Sequence, residues 1–138
     1  MARVALHCFL VAAVLLLGTS ASARDLQQVR ITGTLRVGVT LFAPWAARTP
    51  SGELIGFEID VAKQLAADMG VKADLRVYDL ERLIPALESG EIDLIAAGLT
   101  ITPQRALHVN FSSPYAESGI ALATHVERTA KVTRLEDL

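Results

Sequence analysis

The sequence predicts an α/β domain with a mostly parallel sheet, and three observations carry the prediction. Stretches that alternate apolar and polar residues are interleaved with stretches at helical period, in the order β-α-β-α-β. Gly70 and Gly90 stand where each helical stretch ends. The run Ile92–Ala97, mostly apolar and bounded by glycine, has the pattern of a buried parallel strand.

Each element can be justified in chain order. Arg3, the apolar run Val4–Leu17 and the small residues Ala21-Ser22-Ala23 read as a secretory signal peptide cleaved after Ala23. That apolar run falls short of the roughly 20 residues of a spanning helix. Residues 24–34 are expected to be a polar lead-in, and Leu35–Val39 the first strand. Phe42-Ala43-Pro44-Trp45 is an aromatic loop. Thr49-Pro50-Ser51-Gly52 is dense in turn residues, so Trp45–Arg48 and Glu53–Ile55 are expected to pair around it as a small hairpin. After Gly56 the period becomes helical. Val61, Leu65 and Met69, with Ala62 and Ala66, make the expected inner face, and Glu58, Lys63, Gln64 and Asp68 the outer one.

Val71–Tyr78 then alternates as a half-buried strand. Asp79 caps a helix over Leu80–Ser89, in which Pro85 is awkward unless it sits near the first turn. Thr102-Pro103 opens a short helix with Arg105 in its first turn. Phe111–Tyr115 is a loop and Gly119–His125 a further strand. Thr133-Arg134-Leu135-Glu136 is a capping box announcing a helix that the sequence does not go on to build. The expected organisation is therefore signal peptide over 1–23, lead-in over 24–34, one lobe over 35–126, and over 127–138 a crossover into a truncated second lobe.

Composition narrows the function. The 138 residues carry 13 Lys+Arg against 15 Asp+Glu, a net charge of −2, so no basic surface for nucleic acid is expected. With 51% hydrophobic and 20% charged residues the chain is too apolar for disorder. An aromatic share of 5% argues against a base-stacking platform. Cys8, the one cysteine, lies inside the expected signal without a lipobox before a cleavage point. A thiol-free exported domain suits a bacterial periplasm. His108 and His125 have no motif around them, and no metal-ligand spacing, Ser-His-Asp order or glycine-rich phosphate loop occurs. No catalytic residue, metal or cofactor is predicted.

Three segments carry a family resemblance. Gly56-Phe57-Glu58-Ile59-Asp60-Val61-Ala62-Lys63-Gln64-Leu65-Ala66 resembles the signature of family 3 extracellular solute-binding proteins, the polar-amino-acid receptors of ABC importers. Ile84–Asp93 is similar to their second helix and following strand. Ala97–Arg105, followed by Phe111-Ser112-Ser113-Pro114-Tyr115, is similar to their ligand segment. The resemblance covers about Leu35 to Leu138 and implies lobe 1 of a type II periplasmic-binding-protein-like fold, with the second lobe absent. In that fold two lobes close on a ligand about hinge strands. Ala121–Val126 would be the first crossing.

The ligand segment also makes physical sense alone. A buried strand ending at Ala97 releases Gly98, Leu99 and Thr100 at its carboxyl edge, where open α/β sheets bind ligands. Free backbone groups and the Thr100 hydroxyl can hold an ammonium and one carboxylate oxygen. Arg105 can grip a carboxylate with two parallel N–H bonds, reinforced by the positive helix end; otherwise it is a solvated surface charge. Phe42, Trp45 and Phe57 either wall the site or pack in the core, and the resemblance implies that Phe42 and Phe57 flank the ligand. Thr40-Leu41 stands where relatives carry an acidic residue, so no acidic contact is expected from that loop. Phe111 and Tyr115 are expected in core and hinge packing. Glu58 and Asp60, at i and i+2, are expected to complement the helix dipole and nothing more.

These residues suggest the amino-acid-binding component of an ABC importer, periplasmic and expected as a monomer, with a membrane permease as partner of the whole protein. The same resemblance includes cyclohexadienyl (arogenate/prephenate) dehydratases, lobes that precede lytic transglycosylases, and sensory domains of receptors, and fold does not decide among them. A dehydratase needs a positioned acid, and no isolated carboxylate is expected near Thr100.

Overall fold

The computed structural model describes residues 24–117 and Gly119. The expected signal peptide, the crossing strand over Ala121–Val126, His125 and the capping box at Thr133 lie outside the described residues.

The first element is a correction. Instead of a lead-in, Leu26–Thr32 forms helix α1. Asp25 caps it, its side chain accepting from the Gln28 N–H at 2.7 Å, and Gly33 ends it in the left-handed region. Two good caps make a helix of a short polar segment that has no hydrophobic period.

Strand β1, Thr34–Val39, follows at once and is the centre of the sheet. It pairs in parallel with β4, Lys72–Val77, on one side and with β5, Leu94–Ile95, on the other. The expected run Ile92–Ala97 forms only two ladder residues, but Asp93 N–H to Arg36 O and Ala96 N–H to Gly38 O extend the contact at both ends. Between β1 and β4 runs α2, Phe57–Asp68, and between β4 and β5 runs α3, Leu80–Glu88. Because these crossovers step to opposite sides of β1, right-handed connections place α2 and α3 on opposite faces of the sheet.

The two apolar clusters follow from that topology. Leu35, Val37 and Val39 alternate along β1 and pack with Ile59, Ala62 and Ala66 of α2. On the other face Leu83 and Ala86 of α3 pack with Ile92. Gly38 faces this second cluster, and a Cβ there would collide with the Ile92 side chain. The inner face of α2 is therefore turned from the one expected. Leu65 is exposed and Glu58 is buried. Small Ala62 and Ala66 let the helix lie close to the sheet, and that closeness outweighs the larger side chains one position away.

The expected hairpin is present as β2, Ala47–Arg48, against β3, Leu54–Ile55. Gly56 joins it to α2 at φ +123°, and a Cβ there would stand 2.5 Å from the Trp45 carbonyl oxygen. Only glycine fits both the angle and the space. Pro85 sits inside α3, beyond its first turn, on the exposed side where the lost N–H bond is least costly. Helix α4, Pro103–Ala106, starts as expected with Thr102 accepting from the Arg105 N–H at 3.3 Å.

Candidate functional site

An open cleft of about 670 Å³ runs along β5, from Asp93 and Leu94 at its amino end to Gly98–Thr100 beyond its carboxyl end. Five of the seven expected site residues line it: Phe42, Trp45, Gly98, Leu99 and Thr100. Gly98 turns the chain out of the sheet at φ +58°, so the backbone of Gly98–Thr100 runs along the cleft instead of continuing the ladder.

Arg105 stands just behind that lining. Its Nη1 donates to the Thr100 carbonyl at 2.9 Å, and it is half-buried. Among the described residues it has no carboxylate partner, so Nε and Nη2 remain as donors on a guanidinium already docked beside Thr100. Helix α4 is a single turn of four residues, too short for the helix-end reinforcement expected from the sequence. Its contribution is the Thr102 cap, which fixes where Arg105 leaves the backbone.

The aromatic residues form a row. Trp45 meets Phe57 edge to face at 5.5 Å, and Phe57 stacks on Tyr115 at 6.2 Å with the planes 24° apart. Phe57 touches the cleft only through these neighbours and itself borders a shallow hollow along α2. Phe42 is 67% exposed at the cleft mouth. Tyr115 is not core packing, as expected from the sequence, but a half-exposed ring at the cleft.

Two residues that sequence reasoning set aside are joined here. Glu58 is 2% exposed and accepts a 2.7 Å hydrogen bond from the Tyr115 hydroxyl. Burial pushes the Tyr115 hydroxyl pKa up, and the adjoining Glu58 carboxylate pushes it further, so Tyr115 remains a proton donor through the neutral range. The other Glu58 oxygen lies 3.6 Å from where a Cβ on Gly98 would stand. A carboxylate does therefore sit beside this loop, contrary to the sequence expectation. The available signal was helical spacing: Glu58, Ala62 and Ala66 share one stripe.

Below the sheet, at the amino end of β5, Asp93 is gripped by Arg24 and Arg36. Arg36 gives it Nε, Nη2 and its backbone N–H. Burial alone would raise the Asp93 pKa, but the bonds from both arginines hold it well below the usual carboxylate range.

The sequence profile described as "Bacterial extracellular solute-binding proteins, family 3" matches residues 35–134. The chain belongs to that family. L-cystine-binding protein TcyJ of Escherichia coli (strain K12) is 32% identical over 114 residues, a stretch covering 82% of this chain and 43% of TcyJ. The chain thus spans less than half the length of that relative. Among solved structures, the arginine-bound form of domain 1 from TmArgBP is 36% identical at a TM-score of 0.63, covering 67% of this chain and 73% of that one. An ancestral cyclohexadienyl dehydratase is 38% identical at a TM-score of 0.65, covering 69% of this chain and 40% of its own. The described residues form a type II periplasmic-binding-protein-like α/β lobe.

Proposed function

We propose that this chain supplies the carboxylate-gripping lobe of an amino-acid-binding protein serving an ABC importer. The observation that carries the reading is the conjunction at the end of β5: Gly98–Thr100 exposes backbone to the cleft while Arg105 is docked on the Thr100 carbonyl with donors to spare. An α-carboxylate would accept two N–H bonds from Arg105 and one from the Thr100 hydroxyl, a charge-assisted set. Phe42 and Trp45, with Phe57 behind, would cover the ligand's apolar stem. The likeness to the L-cystine-binding TcyJ and to arginine-bound domain 1 of TmArgBP supports an amino acid as ligand, and the latter supports a single lobe holding one.

In the whole protein a second lobe would close over the ligand, and a membrane permease would receive it. The protein would act in the periplasm after cleavage behind Ala23, as a monomer and without a cofactor.

The dehydratase reading gains one observation, the Glu58 carboxylate beside Gly98. One Glu58 oxygen is taken up by the Tyr115 hydroxyl, however, so the carboxyl is bonded within the wall of the cleft. A thermal-shift panel of L-amino acids, run beside a turnover assay on arogenate and prephenate, separates the two. Stabilisation by one or a few amino acids without turnover is expected; turnover would overturn the binding reading.

A further inference from the structure

We propose that Glu58 and Tyr115 act together as a positioning pair that sets the wall of the ligand cleft. Glu58 is 2% exposed, and a carboxylate out of water is costly unless it is bonded. Three elements meet at it. Its own N–H donates to the Trp45 carbonyl at 2.9 Å, which fixes the aromatic loop to the start of α2. One carboxylate oxygen receives the Tyr115 hydroxyl at 2.7 Å. The other lies near Gly98, 3.6 Å from where a Cβ on that residue would stand, which brings the ligand loop close to the same carboxylate.

The Tyr115 side of the pair matters because of what it anchors. Residues Asn110–Glu117 have no helix or strand. Among the described residues, the Tyr115–Glu58 bond is the one hydrogen bond that ties this stretch to another part of the fold. The same tyrosine lays its ring on Phe57, which in turn meets Trp45. Loss of the hydroxyl bond therefore frees a ring that supports two others. Neither residue need touch the ligand: both act by placing Phe57, Trp45 and the Gly98 loop.

The test uses Trp45, the single tryptophan of the chain, as a reporter. Tyr115→Phe keeps the ring and deletes the hydroxyl, Glu58→Gln keeps an acceptor of equal size, and Glu58→Ala removes it. In ligand-free protein, acrylamide quenching of Trp45 should rise about twofold in Tyr115→Phe and Glu58→Ala and stay near the parent in Glu58→Gln. Titration with L-arginine, the ligand bound by domain 1 of TmArgBP, should show about tenfold weaker binding in the same two variants, the size of one charge-assisted hydrogen bond. This second arm rests on the amino-acid-binding reading, and the first does not. No L-arginine binding by the parent would count against that reading for this ligand, while quenching still judges the pair. Unchanged Trp45 quenching in both Tyr115→Phe and Glu58→Ala would overturn the proposal. Loss of the fold in both would overturn it equally, since the pair would then be a core support and not a positioning one.

Discussion

Asp93 is the residue on which the amino end of the sheet turns. Its side chain is 3% exposed, and two arginines 12 positions apart in sequence converge on it. Because its folded pKa is depressed, the stability it contributes is fully present above the ordinary unfolded carboxylate value and is lost as pH falls through the folded one. Asp93→Asn should therefore cost on the order of 2–4 kcal/mol at neutral pH, since it leaves two guanidiniums without their anion. Melting curves of parent and variant should differ by a constant amount above about pH 5, and the difference should shrink progressively as pH falls below about 4 toward the depressed folded value. A difference that stays unchanged well below about pH 4 would mean that packing, not charge, is what Asp93 supplies.

At the scale of elements, Gly56 is the joint between hairpin and helix. Gly56→Ala must accommodate φ +123° and a Cβ 2.5 Å from the Trp45 carbonyl oxygen. A cost on the order of 2–4 kcal/mol is expected, read as a lower melting temperature with a displaced Trp45 emission. A variant that melts with the parent would show that the turn can relax. The local signals that name such joints were legible in the sequence: Gly56, the Thr49–Gly52 turn, the Thr102 cap and Gly70 all stand where structure begins or ends. Three features were not legible, each for a physical reason. Helix α1 is made by its caps and carries no apolar period. The inner face of α2 is chosen by how closely Ala62 and Ala66 let it approach the sheet, a tertiary effect that the larger Val61 and Leu65 conceal. Tyr115 reaches Glu58 across 57 positions, and no local pattern encodes that meeting. The ligand segment was the most readable part of the site, because a mostly apolar stretch followed by Gly98 marks where the chain leaves the sheet, although the ladder itself is only the half-buried Leu94–Ile95.

At the scale of the whole molecule, the two ends of the sheet have different tasks. The amino end is closed by Arg24, whose guanidinium reaches Asp93, Thr32 and the Thr34 carbonyl. Export with cleavage after Ala23 would make Arg24 the first residue of the mature chain, already part of the fold. Mass spectrometry of periplasmic material should then find a chain starting at Arg24, and an intact membrane-bound chain starting at Met1 would contradict it. The carboxyl end of the sheet is open, and there, among the described residues, Gly98–Thr100 and Arg105 are left with unused polar groups. The central claim is that these groups hold a ligand carboxylate. Titration calorimetry of the parent, Arg105→Ala and Arg105→Lys with the amino acid that stabilises the protein most tests it directly. Truncation to Ala should cost on the order of 2–5 kcal/mol, roughly 30-fold or more in affinity. Lys should recover only part of that loss, because it keeps the charge without the paired N–H geometry. Melting without ligand should change little, since Arg105 lies outside both apolar clusters. Binding by Arg105→Ala within about threefold of the parent, well under 1 kcal/mol, would contradict the account.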